Sequence, residues 1–291
     1  MKPAPFAYHR PRTLDEALAL LQRYGGEAKA LAGGQSLIPA MNFRLARPSV
    51  LVDLSAIADL SYVRAAGGGL SIGAMTRHVV IERSDPVARA APLLHEAMPH
   101  VAHPQIRSRG TIGGSLAHAD PAAELPAVML ALGARLRAKG PRGERWIEAG
   151  GFFTGLFATA LESGELLVEV SIPPLPPRTG TAFLEIARRH GDYALVGAAA
   201  TLTLDGSGRC AAARIALLSV GEGPVLARDA AAALAGAEPG AAPFAAAADA
   251  VQRDIDPPSD IHATAAYRRR LATVLTRRVL ARAAERARTA A

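Results

Sequence analysis

Ala32-Gly33-Gly34-Gln35-Ser36 and Thr111-Ile112-Gly113-Gly114-Ser115 are the stretches whose reading decides the fold of this chain. Each contains two adjacent glycines, ends in a hydroxyl residue and follows a segment readable as strand, Lys29 to Ala32 in the first case. A glycine pair lets backbone N–H groups approach a ligand with no Cβ in the way. Consecutive N–H groups in such a turn form a concavity that holds an anion. Two of them in one fold suit a pyrophosphate, and so a dinucleotide held by backbone rather than by cationic side chains. Taken singly, either pair reads equally as an ordinary turn. Two familiar phosphate-binding architectures are excluded. No Gly-Lys-Ser or Gly-Lys-Thr occurs, and neither pair fits the G-x-G-x-x-G fingerprint of the Rossmann fold.

Working outward from the first motif, Thr13-Leu14-Asp15-Glu16 has the pattern of a capping box. Leu14, Leu18 and Leu21 then share a helix face, and Gly25-Gly26 ends it. Ser49 to Leu54 reads as a strand, giving a small N-terminal unit over residues 1–53. In the middle region, Tyr62-Val63-Arg64 and Leu70 to Ala74 flank a Gly67-Gly68-Gly69 turn and predict a hairpin. A helix-rich stretch follows from Thr76 to Met98, and Leu125 to Leu132 is apolar enough for a buried helix. Ala134 to Ala138 and Leu166 to Ile172 read as strands. Pro173-Pro174-Leu175-Pro176-Pro177 is too proline-dense for helix or sheet interior and marks the best boundary, separating residues 54–176 from 177–291. Beyond it, strands are expected at Thr181 to Arg188, Gly197 to Leu204 and Arg214 to Val220. Helices are expected at Asp229 to Gly236, at Ala242 to Arg253 and from Ala263 onward. The class is α+β, with a three-stranded sheet plus helices at the C-terminus.

The 291 residues carry a formal charge of +7, concentrated after Tyr267 in Arg268-Arg269-Arg270, Arg277-Arg278, Arg282, Arg286 and Arg288. On the last helix, Tyr267, Leu271, Val274, Leu275 and Val279 follow helical spacing and predict a face for core or interface. The arginines elsewhere on it read as a solvated face, as a docking surface for an acidic partner, or as a nucleic-acid contact that lacks stacking aromatics. The single cysteine, Cys210, forms no internal disulfide and cannot hold an iron–sulfur cluster. No apolar run is long enough to span a bilayer, and no leader pattern follows Met1, so a cytoplasmic location is expected. Of the eight histidines, only His100-x-x-His103 has ligand-like spacing. Without cysteine or acidic companions it predicts no metal site.

Longer runs add a resemblance. Leu31 to Pro39 is similar to the first flavin motif, and Ile106 to Pro126 to the second, of the medium subunits of molybdenum hydroxylases, the xanthine dehydrogenase and carbon monoxide dehydrogenase family. Ile72-Gly73-Ala74-Met75-Thr76, Gly191-Asp192-Tyr193-Ala194 and Tyr267-Arg268-Arg269 follow in the family's order. The resemblance implies a flavin fold of the vanillyl-alcohol-oxidase and CO dehydrogenase flavoprotein type, with FAD between the first two units and its ring facing the third. It implies partners as well: a large molybdopterin subunit and a small subunit with [2Fe–2S] clusters, in a dimer of heterotrimers. Electrons would pass from those clusters to FAD and on to an external acceptor. The complex would be cytoplasmic or peripheral to the inner membrane.

The cofactor-binding residues so implied are Ala32, Gly33, Gly34, Gln35, Ser36, Leu37, Thr111, Ile112, Gly113, Gly114, Ser115, Asp120, Glu124, Leu167 and Tyr193. Ser36 and Ser115 would bond phosphate oxygens, and each also reads as a helix N-cap. Glu124 and Asp120 would be polar contacts, Glu124 at a position usually acidic and often Asp in the family. As a plain helix-start charge it reads equally well. Tyr193 would neighbour the flavin ring, or be a half-buried strand aromatic. Many relatives have a lysine near positions 184 and 185. This chain has Leu184 and Glu185, with cations only at Arg188 and Arg189. Two other readings stay open: a self-contained FAD oxidase or reductase, of the UDP-N-acetylenolpyruvoylglucosamine reductase type, and a basic nucleic-acid-binding protein.

Overall fold

A computed structural model describes residues 1–290. The N-terminal sheet has three parallel strands, with Val50–Asp53 between Ala7–His9 and Ala28–Leu31. The capping box forms: Thr13 Oγ1 accepts from the Glu16 N–H while the Glu16 carboxylate accepts from the Thr13 N–H, opening helix Leu14–Tyr24. That helix lays Ala17, Leu18 and Leu21 against the sheet. The strand Ala7–His9 was not expected. Three residues between prolines carry too little pattern to announce a strand.

The middle sheet has five antiparallel strands in the order Val63–Ala66, Gly69–Gly73, Leu166–Ile172, Arg135–Gly140, Gly143–Glu148. The expected hairpin supplies its first pair, and the apolar Leu166–Ile172 lies at its centre. The helix-rich stretch resolves into three short helices, His78–Glu82, Asp85–Ala90 and Pro92–Ala97. Helix Glu124–Leu132 is buried along its whole length. It packs on the strands Ala194–Leu204 and Cys210–Leu218 of the next unit. There Arg214 Nε donates to the Leu130 carbonyl at 3.0 Å, adding to the Gly133 N–H that already caps that carbonyl at the helix C-terminus.

Pro173 to Pro177 runs without regular structure between the middle and C-terminal sheets. The C-terminal sheet has four strands rather than three: Thr179–Ala187, Ala194–Leu204, Cys210–Leu218 and a two-residue fourth, Val225–Leu226, too short to show a period. Helix Ala265–Thr289 lies on the strands Thr179–Ala187 and Ala194–Leu204. Its approach is so close that a Cβ at Gly180 would run into the Ala283 carbonyl. The face predicted for this helix is rotated by about one residue. Arg268, Ala272, Leu275, Val279, Ala283 and Ala287 are buried, whereas Tyr267 is 46% exposed. Alanines serve as core here because the sheet comes so near, and Arg268 is buried with both terminal nitrogens engaged and only Nε left without a partner. Its guanidinium donates to the Leu195 carbonyl and pairs with Asp260. Other arginines of the supposed basic face are paired at the surface rather than free. Arg282 and Arg286 meet Glu96 of the middle unit, and Arg269 meets Asp256.

Candidate functional site

A cleft of about 740 Å³ runs across the three sheets. One end is lined by Gly25, Gly26, Lys29 and the Ser163–Leu166 turn, the centre by the two glycine motifs, the other end by His103, Asp120, Glu124 and Gly191–Tyr193. Every residue expected at the site lines this cleft except Ile112. Ile112 is fully buried in the core, because it is the first residue of a helix whose apolar side faces the middle sheet.

The two motifs are built differently. The first follows strand Ala28–Leu31, as expected, and leads into helix Leu37–Asn42. Gly34 takes φ +74°, a left-handed value that glycine adopts without penalty. The N–H groups of Gly33, Gly34, Gln35, Ser36 and Leu37 have no hydrogen-bond acceptor among the described residues. Ser36 sits at the N-cap position, but its hydroxyl makes no capping bond and stays free. Here is the run of unspent donors that an anion requires.

The second motif corrects the expectation twice. It follows a single helical turn, Pro104–Arg107, not a strand, and forms an isolated bridge with Arg77 at Thr111 rather than a strand ladder. Its donors are also already engaged. The Ile112 N–H donates to Thr76 O, Gly113 to Ala74 O, Gly114 to Thr111 Oγ1 and Ser115 to Thr111 O. The helix Ile112–His118 is capped by Thr111, so Ser115 is inside its first turn rather than capping it. This motif therefore offers side chains to the cleft more than a backbone nest.

Its glycines are contact points. A Cβ on Gly113 would lie 2.6 Å from Ala74 O, and one on Gly110 2.9 Å from His78 Nδ1. A Cβ on Gly33 of the first motif would run into the Arg109 carbonyl and come within 2.7 Å of Gly110 Cα. The two loops thus close on one another backbone to backbone.

At the far end, Asp120 is held in a turn, its Oδ1 accepting from the Ala122 N–H at 2.9 Å. Glu124, 7% exposed, starts the buried helix. Burial, then the nearby carboxylates of Glu185 and Asp120, push its carboxyl up to about 8. At neutral pH it is a hydrogen-bond donor as well as an acceptor, which goes beyond a helix-start charge. Tyr193 is not a strand aromatic. It lies in the loop just before Ala194–Leu204, 69% exposed at the cleft. Leu167 is a buried wall residue of the central strand.

His100 and His103 diverge: His103 lines the cleft, whereas His100 pairs with Glu185 at 3.3 Å and rests on Phe183. Among the described residues no group of His, Cys, Asp and Glu is disposed to hold a metal. Lys29, His103, Ile106 and the 161–166 turn were not foreseen. Ile106 opens the second flavin motif without being singled out in it, and the others carry no cofactor motif and come to the cleft only with the fold.

The cleft fits FAD. It has free N–H groups and a hydroxyl where a pyrophosphate needs them, apolar walls from Leu21, Leu37, Met75 and Leu167, and a polar far end. Comparison with known proteins agrees. Residues 4–175 match the FAD binding domain in molybdopterin dehydrogenase, and residues 181–283 match the CO dehydrogenase flavoprotein C-terminal domain. The chain belongs to the FAD-binding subunits of the molybdenum hydroxylases.

The FAD subunit is 44% identical to the alpha subunit of the 6-hydroxypseudooxynicotine dehydrogenase complex of Paenarthrobacter nicotinovorans, over 99% of this chain and 97% of that one. It is 42% identical to the carbon monoxide dehydrogenase medium chain of Afipia carboxidovorans, over 99% of each. The structure superposes on carbon monoxide dehydrogenase from Hydrogenophaga pseudoflava with a TM-score of 0.96 at 40% identity, covering 98% of this chain and 99% of that one. These relatives are dehydrogenase subunits, and this FAD subunit is accordingly part of an oxidoreductase. No helix among its described residues is long and apolar enough to cross a membrane.

Proposed function

We propose that this FAD subunit collects electrons from the [2Fe–2S] clusters of a small partner subunit and passes them from FAD to an external acceptor. A large molybdopterin subunit would oxidise the substrate. The flavin supplies the redox chemistry when bound, and the protein supplies binding, orientation and electrostatics. The observation that carries this reading is the run of five unpaired N–H groups from Gly33 to Leu37, facing the same cleft as the neutral carboxyl of Glu124.

In this reading Ala32 to Leu37 hold the pyrophosphate by backbone, and Thr111 and Ser115 add hydroxyls from the second motif, with Gly113 and Gly114 keeping the loops in contact. Residues 1–53 and 54–176 enclose the cofactor, and 177–291 present Tyr193 to the ring. Asp120 and Glu124 address polar atoms of the cofactor, and Leu167 backs it. Exposed Phe157, its ring tilted against that of the cleft residue His118 with centroids 5.0 Å apart, and exposed Tyr193 give the cleft an apolar rim suited to the small subunit. With those two partner subunits this subunit would form a heterotrimer, and two heterotrimers a dimer.

The test is the visible spectrum of the purified chain after FAD is added and free flavin removed. Retained flavin bands are expected. A chain that stays colourless alone and also when co-expressed with its partner subunits would refute the reading.

A further inference from the structure

A second cavity, of about 650 Å³, adjoins the first glycine loop. Gly33, Gly34 and Gln35 line both it and the flavin cleft. Their neighbours place the two on opposite sides. Leu54 and Gly110 line the cleft, whereas Asp53, Ser55 and Arg109 line the second cavity. The close backbone contact of Gly33 with Arg109 and Gly110 stands between them.

Arg10, Arg77 and Arg109 reach this cavity from three separate segments. Two of them are held in place. Arg77 is bridged to Thr111 and gives Nη1 to the Ser108 carbonyl at 2.6 Å, so its guanidinium lies against the segment that carries Arg109. Arg10 Nε donates to Ser55 Oγ at 3.3 Å and stands 3.9 Å from Asp53, at the end of the strand Val50–Asp53. Arg109 is exposed, and its guanidinium has no acceptor among the described residues. Asp53 is the only carboxylate on the lining and is already engaged, accepting from the Tyr8 hydroxyl and the Ser55 N–H. Three positive charges against one spent carboxylate suit an anion of more than one charge. Arginine grips phosphate in particular, through paired N–H donors. The volume is that of a small-molecule pocket rather than of an inorganic ion. Leu31, Ile38, Pro39 and Ile57 offer an apolar bed for an organic body.

We propose that this cavity binds a phosphate monoester of nucleotide size, its phosphate on Arg77 and Arg109 and its body on the apolar wall. The site is distinct from that of the flavin, and the inference does not require the flavin reading.

The test uses the FAD-loaded chain, whose cleft is filled. AMP is titrated by calorimetry while the flavin spectrum is recorded. AMP is expected to bind with the flavin retained. Arg109→Ala and Arg77→Ala should each weaken it about tenfold or more, the loss of a charged hydrogen bond to phosphate. Adenosine, which lacks the phosphate, should bind at least about tenfold more weakly than AMP. Arg109 has no structural partner for its guanidinium, so Arg109→Ala carries the test should Arg77→Ala disturb the second loop. The site is overturned if AMP does not bind, if it displaces the flavin, or if Arg109→Ala leaves its affinity unchanged. Binding to this subunit that vanishes in the assembled heterotrimer overturns it too, making the cavity a socket for an acidic side chain of a partner. A chain that retains no flavin strikes the flavin reading instead, and the same titrations of the free chain and its two variants then decide this one.

Discussion

The first glycine motif keeps its backbone donors unspent, whereas the second has given all but one of its donors to the protein. The same letters, Gly-Gly followed closely by a serine, thus make two different objects. From Gly33 to Leu37 the chain leaves a strand, turns through a left-handed glycine and presents N–H groups to the cleft. From Ile112 to Ser115 the chain is the first turn of a helix, tied to Ala74 and Thr76 and capped by Thr111. The first loop is ligand-facing; the second is the anvil on which it rests. Glycine means access in one case and close backbone contact in the other. Gly33 belongs partly to both, because it touches Arg109 and Gly110.

The largest effect should therefore come from Gly33→Val. It drives a branched side chain into the backbone of the second loop and displaces the free donors. FAD affinity is expected to fall at least about a hundredfold, roughly 3 kcal/mol, read by fluorescence titration of the apo chain. An unchanged affinity would mean that the first loop is not the pyrophosphate site.

Acid should attack the second loop selectively. His78 is buried under Gly110, and burial pushes its imidazole down to about 4 from 6.5. Between those values the folded state binds fewer protons than the unfolded chain. The neutral His78 contribution is present above pH 6.5 and is lost as pH falls toward 4, by up to about 3 kcal/mol. Glu124 acts oppositely: its raised carboxyl favours the folded state as pH falls from about 8. The informative quantity is thus the difference between wild type and His78→Gln in denaturant unfolding across pH. That difference should shift toward the variant on acidification; a flat difference would show that His78 is not held neutral.

Gly113→Ala overpacks the contact with Ala74 and should cost about 1–3 kcal/mol of stability. It should leave FAD affinity within a few-fold, which equilibrium unfolding and titration separate. A large affinity loss without destabilisation would make the second loop a backbone nest after all. The smallest effect belongs to Ser115→Ala, whose hydroxyl is one donor among several. Affinity should weaken by about 1 kcal/mol, some five- to tenfold, at unchanged stability. Ser115→Ala without any change would leave Thr111 as that loop's sole hydroxyl contact.

How much of this was legible before the fold depends on how local the cause is. The capping box at Thr13, the buried helix Glu124–Leu132 and the strand Leu166–Ile172 were plain, because period and caps lie within a few residues. The clustering of both motifs around one cleft followed from the family pattern. The division of labour between them was not legible, since it turns on whether Ala74 and Thr76 accept the second loop's hydrogen bonds. Ile112 was misread as a cleft residue because a motif names a stretch, while a helix start sends alternate side chains inward. The last helix was misread by one residue because large apolar side chains were taken to mark the face. Alanine and an arginine anchored through its two terminal nitrogens mark it instead where Gly180 lets the helix touch the sheet. Glu185 and His100 lie 85 positions apart by number, and only the packing of the strand on the middle unit makes them a pair.

The grip of the final helix on the rest of the molecule also makes it a lever on the cleft. Ala265–Thr289 backs the two strands that bracket Tyr193, holds the Leu195 carbonyl through Arg268 and reaches Glu96 through Arg282 and Arg286. Loosening its seat on the sheet would slacken the wall at Gly191–Tyr193 while both glycine loops keep their shape.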